Sequence, residues 1–185
     1  MKKQKKQFVI MLALLVVCVA AFVVLTIYNK KQEQLENKEN DTIALVDVAA
    51  EDIFAFSYYF NGTPLEFRKE DDNWFYASDK TLVLKQDSME NMLNSLVEIE
   101  AVKELEDPAE LSEYGLDEPN NTITIMTQDK AYVVLVGKTN GITGQHYIKL
   151  DYADEVYLTD TDYDMIFQVS LDELSEAQDG TKEPH

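Results

Sequence analysis

A single cysteine, Cys18, is all the thiol in this chain. An intramolecular disulfide is therefore excluded, and so are a thiolate zinc site and a redox pair. Histidine is nearly as scarce. His185 ends the chain and His146 is the only other. One body histidine without cysteine argues against a zinc centre and against a Ser-His-Asp or Cys-His nucleophile. His146 stands in a strand pattern beside Tyr147 and reads as structural or surface. Basic residues are also short outside the N-terminus. Residues 1–31 hold six lysines and no acid. All 35 acidic residues and only 10 of the 16 basic ones follow, a formal −25. A body of that charge repels nucleic acid and anionic lipid, which speaks against a nucleic-acid role. The acidity suits a solvated surface or cationic partners.

What the chain does have is one long apolar run. Residues 8–28, FVIMLALLVVCVAAFVVLTIY, carry no charge, proline or glycine. At about 1.5 Å per residue such a helix is about 31 Å long, enough for a hydrocarbon core of about 30 Å. Four lysines precede it and two follow, and Tyr28 sits where an interfacial aromatic would. The positive-inside rule makes residues 1–7 a cytoplasmic basic tail and places the rest outside. We expect a single-pass membrane anchor. The rival is a signal peptide cut near Val19-Ala20-Ala21 and a secreted product. Against it, the apolar run continues through residues 22–28, long for a signal. A lipoprotein signal at Cys18 would want a small residue where Val17 stands.

Residues 29–41 read as a polar linker and 176–185 as a disordered tail, leaving a folded body at 42–175. Its hydrophobic period changes along the chain. IFAFSYYF at 53–60 places Phe54, Phe56, Tyr58 and Phe60 on one strand face. Asn61-Gly62-Thr63 turns the chain into PLEFRK at 64–69, and a second turn leads to a strand at 74–77. Residues 87–100 then show a helical stripe, Met89, Met92, Leu93, Leu96 and Val97, with Asp87 and Glu90 in capping-box spacing. The methionines read as core filling. The plan recurs with TITIMT at 122–127, strands at 131–136, 146–150 and 155–158, and a helix at 161–169. Leu84 and Leu158 stand in equivalent places, 74 residues apart. The expected fold is α+β: the transmembrane helix, then two similar antiparallel β-meander-plus-helix units at 50–105 and 118–172.

Candidate chemistry is thin. Gly137-Lys138-Thr139 resembles the end of a phosphate loop, but the glycine required five residues earlier is Tyr132, and no helix pattern follows. Asp160, Asp162 and Asp164 have the first spacing of a calcium loop. Its sixth position is Met165 and its twelfth Leu171, so acids in the first turn of a helix are the simpler account. Carboxylates abound, yet nothing singles out one acid/base pair. Trp74 and Tyr76 share a strand face, either as core or as an exposed aromatic binding face. No catalytic residue, metal site or cofactor is indicated.

The segment DPAELSEYGLDEP at 107–119 looks at first like a site. Each residue has a structural reading. Asp107 suits an N-cap, Pro108 the first helical position, and Glu110 a capping box. Leu111 anchors a short helix, Gly115 suits the left-handed residue that ends it, Leu116 packs back, and Pro119 prevents continuation. Tyr114-Gly115-Leu116-Asp117 and Pro119 also carry a resemblance. Together with Glu51-Asp52-Ile53, Trp74, the strand end Leu135 to Gly137, HYIKL and VYLTD, they resemble the bacterial family called domain of unknown function 4340. The resemblance covers about residues 50–170. It implies a membrane-anchored or lipoprotein-like protein without assigned catalytic residues. Some relatives look like auxiliary subunits of gliding-type ABC transporters, which implies partners in the cell envelope. The leading expectation is an extracytoplasmic binding or scaffolding module. The alternatives are a glycan-acting envelope enzyme using paired carboxylates and a ligand or cation sensor.

Overall fold

The computed structural model describes residues 42–176. The expected basic tail, membrane span and linker, and positions 177–185 of the tail, lie outside the described residues. Among those described, no helix is long and apolar enough to cross a membrane.

Among the described residues, ten strands, four short α-helices and one 3-10 turn at Ala50–Asp52 make a mainly antiparallel α+β body. The strands are β1 (Ile43–Asp47), β2 (Ile53–Phe60), β3 (Thr63–Glu70), β4 (Asn73–Tyr76), β5 (Glu98–Ala101), β6 (Lys103–Glu104), β7 (Asn121–Thr127), β8 (Ala131–Thr139), β9 (His146–Leu150) and β10 (Tyr157–Thr159). The helices are α1 (Gln86–Asn94), α2 (Leu111–Tyr114), α3 (Tyr163–Ile166) and α4 (Leu171–Leu174). Eight strands form one sheet in the order β4-β3-β2-β7-β8-β9-β10-β6, and β1 pairs with β5 alone. The first strands of the two meanders, β2 and β7, pair at the middle. From there β2-β3-β4 steps to one edge and β7-β8-β9-β10 toward the other.

The halves are unequal. The second has one more strand, and α1 has nine residues where α3 has four. The expected helix at 161–169 is thus cut to Tyr163–Ile166. Leu84 and Leu158 also differ: Leu84 makes an isolated bridge to Ser175, whereas Leu158 lies in β10.

Turn chemistry fixes the first meander. Asn61 and Gly62 have φ of 49° and 76°, and Asp71 and Asp72 have 47° and 64°. Two successive positive φ values make the tight turn whose twist matches a hairpin, and Asn, Asp and Gly tolerate them best. The expected alternation in β2 fails at its start. Ile53 pairs with Thr127 and Ala55 with Met126, so Phe54 is an inserted residue. This bulge turns Phe54 outward, 40% exposed, and buries Ala55.

Directly paired residues share a sheet face. Phe56 opposes Phe67 and Ile125, and Ile125 opposes Tyr132. This inner face holds the main core with Met89, Met92 and Leu93 of α1 and with Phe167. Phe56 packs on Phe67 and edge-on to Trp74, with centroids 5.3 and 5.0 Å apart. Tyr58 is buried but donates from its hydroxyl to Val169 O at 2.7 Å, which satisfies its polar tip. Burial pushes its phenol well above the usual range. The methionines are core residues, and Trp74 is in the core too.

The helix expected over 87–100 stops at Asn94. Ser95 donates its hydroxyl back to Asn91 O, an i−4 bond that competes with helix propagation. Ile99 and Ala101 then bury in β5, against β1. Asp87 is not the cap; it lies in the first turn, and Lys85 holds the N-cap position without a side-chain bond. The start is tied instead by Gln86. Its amide accepts from Trp74 N at 2.8 Å and donates to Trp74 O at 3.1 Å.

Candidate functional site

The DPAELSEYGLDEP segment bends over β8 on the sheet face away from α1. Its helix is shorter than its sequence pattern suggests: α2 begins at Leu111, with Glu110 at the N-cap and no side-chain cap. Asp107 is not the cap, because it takes a left-handed φ of 50°. The loop's N–H is met from the other end, since Ala109 N donates to the Tyr114 hydroxyl at 2.8 Å. Gly115 does end the helix, at φ 65°. Its N–H donates to Ser112 O, and Leu116 N donates to Leu111 O at 3.0 Å, closing the last turn.

β8 has its own irregularity at the contact. Val136 pairs with Ile148 and Thr139 with His146, so three steps on β8 face two on β9. The bulge falls at Gly137-Lys138. A side chain at Gly137 would stand 2.4 Å from Tyr114 O and 3.1 Å from Leu116. The glycine is there for close backbone approach. The phosphate-loop likeness of Gly137-Lys138-Thr139 ends in this bulge. Leu116, Val156 and Leu158 are also buried, outside the main core, and Leu116 lies against Gly137. Beside it the Tyr114 ring packs on Tyr147 with centroids 4.7 Å apart, and Asn140 donates to the Tyr147 hydroxyl at 2.8 Å.

Gly115→Ala tests this joint. Its φ is the left-handed value that costs a non-glycine residue about 1 kcal/mol. A new Cβ would meet Lys138 N at 3.4 Å, an ordinary contact. We expect a loss of about 1 kcal/mol, read from urea midpoints at unchanged slope. No loss would mean that the residue is not held in that conformation.

The remaining candidates have structural work. Asp162 caps α3, accepting from Met165 N at 2.9 Å, and its other oxygen stands 3.6 Å from His146 Nε2. Asp160 accepts from Gln145, and Asp164 from Gln168. Among the described residues, no three acidic, histidine or cysteine side chains are grouped to hold a metal. Lys149 is buried, its ammonium donating to Leu150 O and Ala153 O at 3.0 and 2.6 Å, so it pins the turn after β9. A cleft of about 390 Å³ lies between Asp47, Asp52 and the β7–β8 turn. There Lys130 Nζ sits 4.1 Å from the Tyr132 ring centroid.

The joint covers only one part of the outer face. Ser57 pairs with Glu66 and Thr124, and Thr124 with Val133, placing all four opposite the core. Thr122 and Leu135 form the next row. Each of these side chains is only partly buried. Sequence reasoning overlooked this face because its attention was on the apolar positions. The signal was present in Ser57, Tyr59, Thr122 and Thr124, hydroxylic residues set between the apolar positions of IFAFSYYF and TITIMT.

A family model described as "Domain of unknown function (DUF4340)" matches residues 74–178, more than half of the chain. The match begins at Trp74 and includes the whole 107–119 joint and the Gly137 bulge. No curated protein and no solved structure matches.

Proposed function

The chain belongs to the DUF4340 family, and from that premise we propose a membrane-anchored module, displayed outside the cell membrane, that binds a protein partner and catalyses no reaction. The anchor is residues 8–28, and the orientation follows from the lysines around it. The observation that carries the binding role is the partly exposed outer face at Ser57, Thr122, Thr124, Val133 and Leu135. Its middle is hydroxylic and aliphatic in a body that is otherwise strongly acidic. A charge-depleted centre within a charged surround is the anatomy of a protein interface. The partner's rim is then basic. An ABC-type transporter or another envelope complex is the setting we favour, with this chain as an accessory.

Thr124→Arg puts a bulky cation at the centre of the face. Full-length chain, cross-linked in intact membranes and purified, is expected to bring down a defined partner. The variant is expected to lose at least about tenfold of that capture, the mark of a charge in a desolvated interface, while its melting temperature stays within about 2 °C. Equal capture by both chains would move the interface elsewhere. No cross-linked partner at all would remove the binding role.

A further inference from the structure

At one end of the outer face, where β2 turns into β3, lies a cleft of about 330 Å³. That is the low end of the range of about 300–1,000 Å³ usual for small-ligand sites. Its working surface is Tyr59, Asn61, Pro119, Asn120, Thr122 and Gln168. No charged side chain lines it, although the chain beyond residue 31 carries acids in large excess.

The lining is held in place from behind. Asn121 is buried and clamps the Tyr59 backbone, accepting from its N–H at 2.9 Å and donating to its carbonyl at 3.1 Å. This amide takes over beyond the last paired residues of the β2–β7 ladder, Ser57 and Thr124. The Tyr59 backbone is consequently held at the rim, and the residue is 44% exposed. Gln168, which lines the cleft, donates to Asp164 at 3.1 Å. Asn120 makes only long contacts, 3.4 and 3.5 Å to Gly137 O and Asp164, so its donors are weakly engaged.

We propose that this cleft binds a neutral saccharide. A sugar ring has an apolar C–H face and a girdle of hydroxyls that both donate and accept. Tyrosine supplies an aromatic face with a polar tip, and each amide both donates and accepts. The sugar ring lies on Tyr59, and its hydroxyls are read by Asn61, Asn120 and Gln168. The acidic body repels anionic sugars. A cationic ligand finds no carboxylate in the lining. An extended peptide added as a strand is excluded here, because β2 and β7 are each paired on both sides.

The test uses full-length chain in lipid nanodiscs, which avoids sugar-based detergents. Saturation-transfer difference NMR is run with maltotriose and chitotriose as neutral probes and a hyaluronan tetrasaccharide as the anionic one. Saturation transfer to a neutral probe is expected, with a Kd near about 1 mM. Tyr59→Ala and Gln168→Leu are each expected to weaken it about tenfold, with melting within about 2 °C of the parent. Thr124→Arg, outside the lining, is expected to leave it intact, so failure of partner capture and failure of sugar binding are separately visible. No transfer to either neutral probe at about 10 mM, equal transfer with Tyr59→Ala, or equal transfer to the anionic sugar would each overturn the proposal.

Discussion

Trp74→Ala is expected to remove about 4 kcal/mol of stability, the middle of the range for truncating a packed aromatic. Trp74 is 2% exposed, on β4 at the edge of the sheet. Its ring fills the space beside Phe56, at 5.0 Å and edge-on. Its backbone is fastened to Gln86 at the start of α1 by a donor and an acceptor. The site cannot collapse easily around a void, because the strand is tied to the start of the helix at this same residue. Domains of this size are stable by about 5–15 kcal/mol, so the variant forfeits a large share. Trp74 is the only tryptophan, so unfolding in urea is followed by far-UV circular dichroism in both proteins. A loss below about 1.5 kcal/mol would return Trp74 to the other reading, an aromatic displayed for binding.

Gly137→Ala is expected to cost about 3 kcal/mol, at the high end for overpacking. The reason differs from that at Gly115. The new methyl would press on a carbonyl, Tyr114 O at 2.4 Å, and on Leu116 at 3.1 Å. A side chain can rotate away, whereas a carbonyl in the last turn of α2 moves only with its whole segment. A second substitution separates the two contacts. Adding Leu116→Ala relieves the side-chain contact and leaves the carbonyl, so the double variant is expected to be no more stable than Gly137→Ala alone. Recovery in the double variant, measured by urea midpoint, would assign the crowding to the leucine and free the backbone from blame.

Local chemistry was the legible part of this sequence. Asn61-Gly62 and Asp71-Asp72 announce tight turns because few residues accept positive φ, and Gly115 ends its helix for the same reason. Period-two alternation located β2, β3 and β7 closely. What failed depended on partners distant in the chain. The helical stripe through Leu96 and Val97 is real in one dimension, but Ile99 and Ala101 are claimed by β1. Asp107, Pro108 and Glu110 have the right types for a helix start, yet a phenol five residues on binds the loop N–H instead. Phe54 follows the alternation in sequence and leaves it through a bulge set by β7. The cleft beside Tyr59 draws on three separate segments, and no single stretch announces it.

The pairing of the two meanders through β2 and β7 has a kinetic consequence. Each hairpin within a meander joins strands that are neighbours in the chain, which is a rapid event. The central ladder instead joins Ser57 to Thr124. It must close a long loop before any of its bonds are rewarded, so it is the slow step of assembly. During synthesis the first meander is complete before residues 121–127 exist. Until they arrive, IFAFSYYF presents an unpaired aromatic edge, the type of surface on which nascent chains stick together.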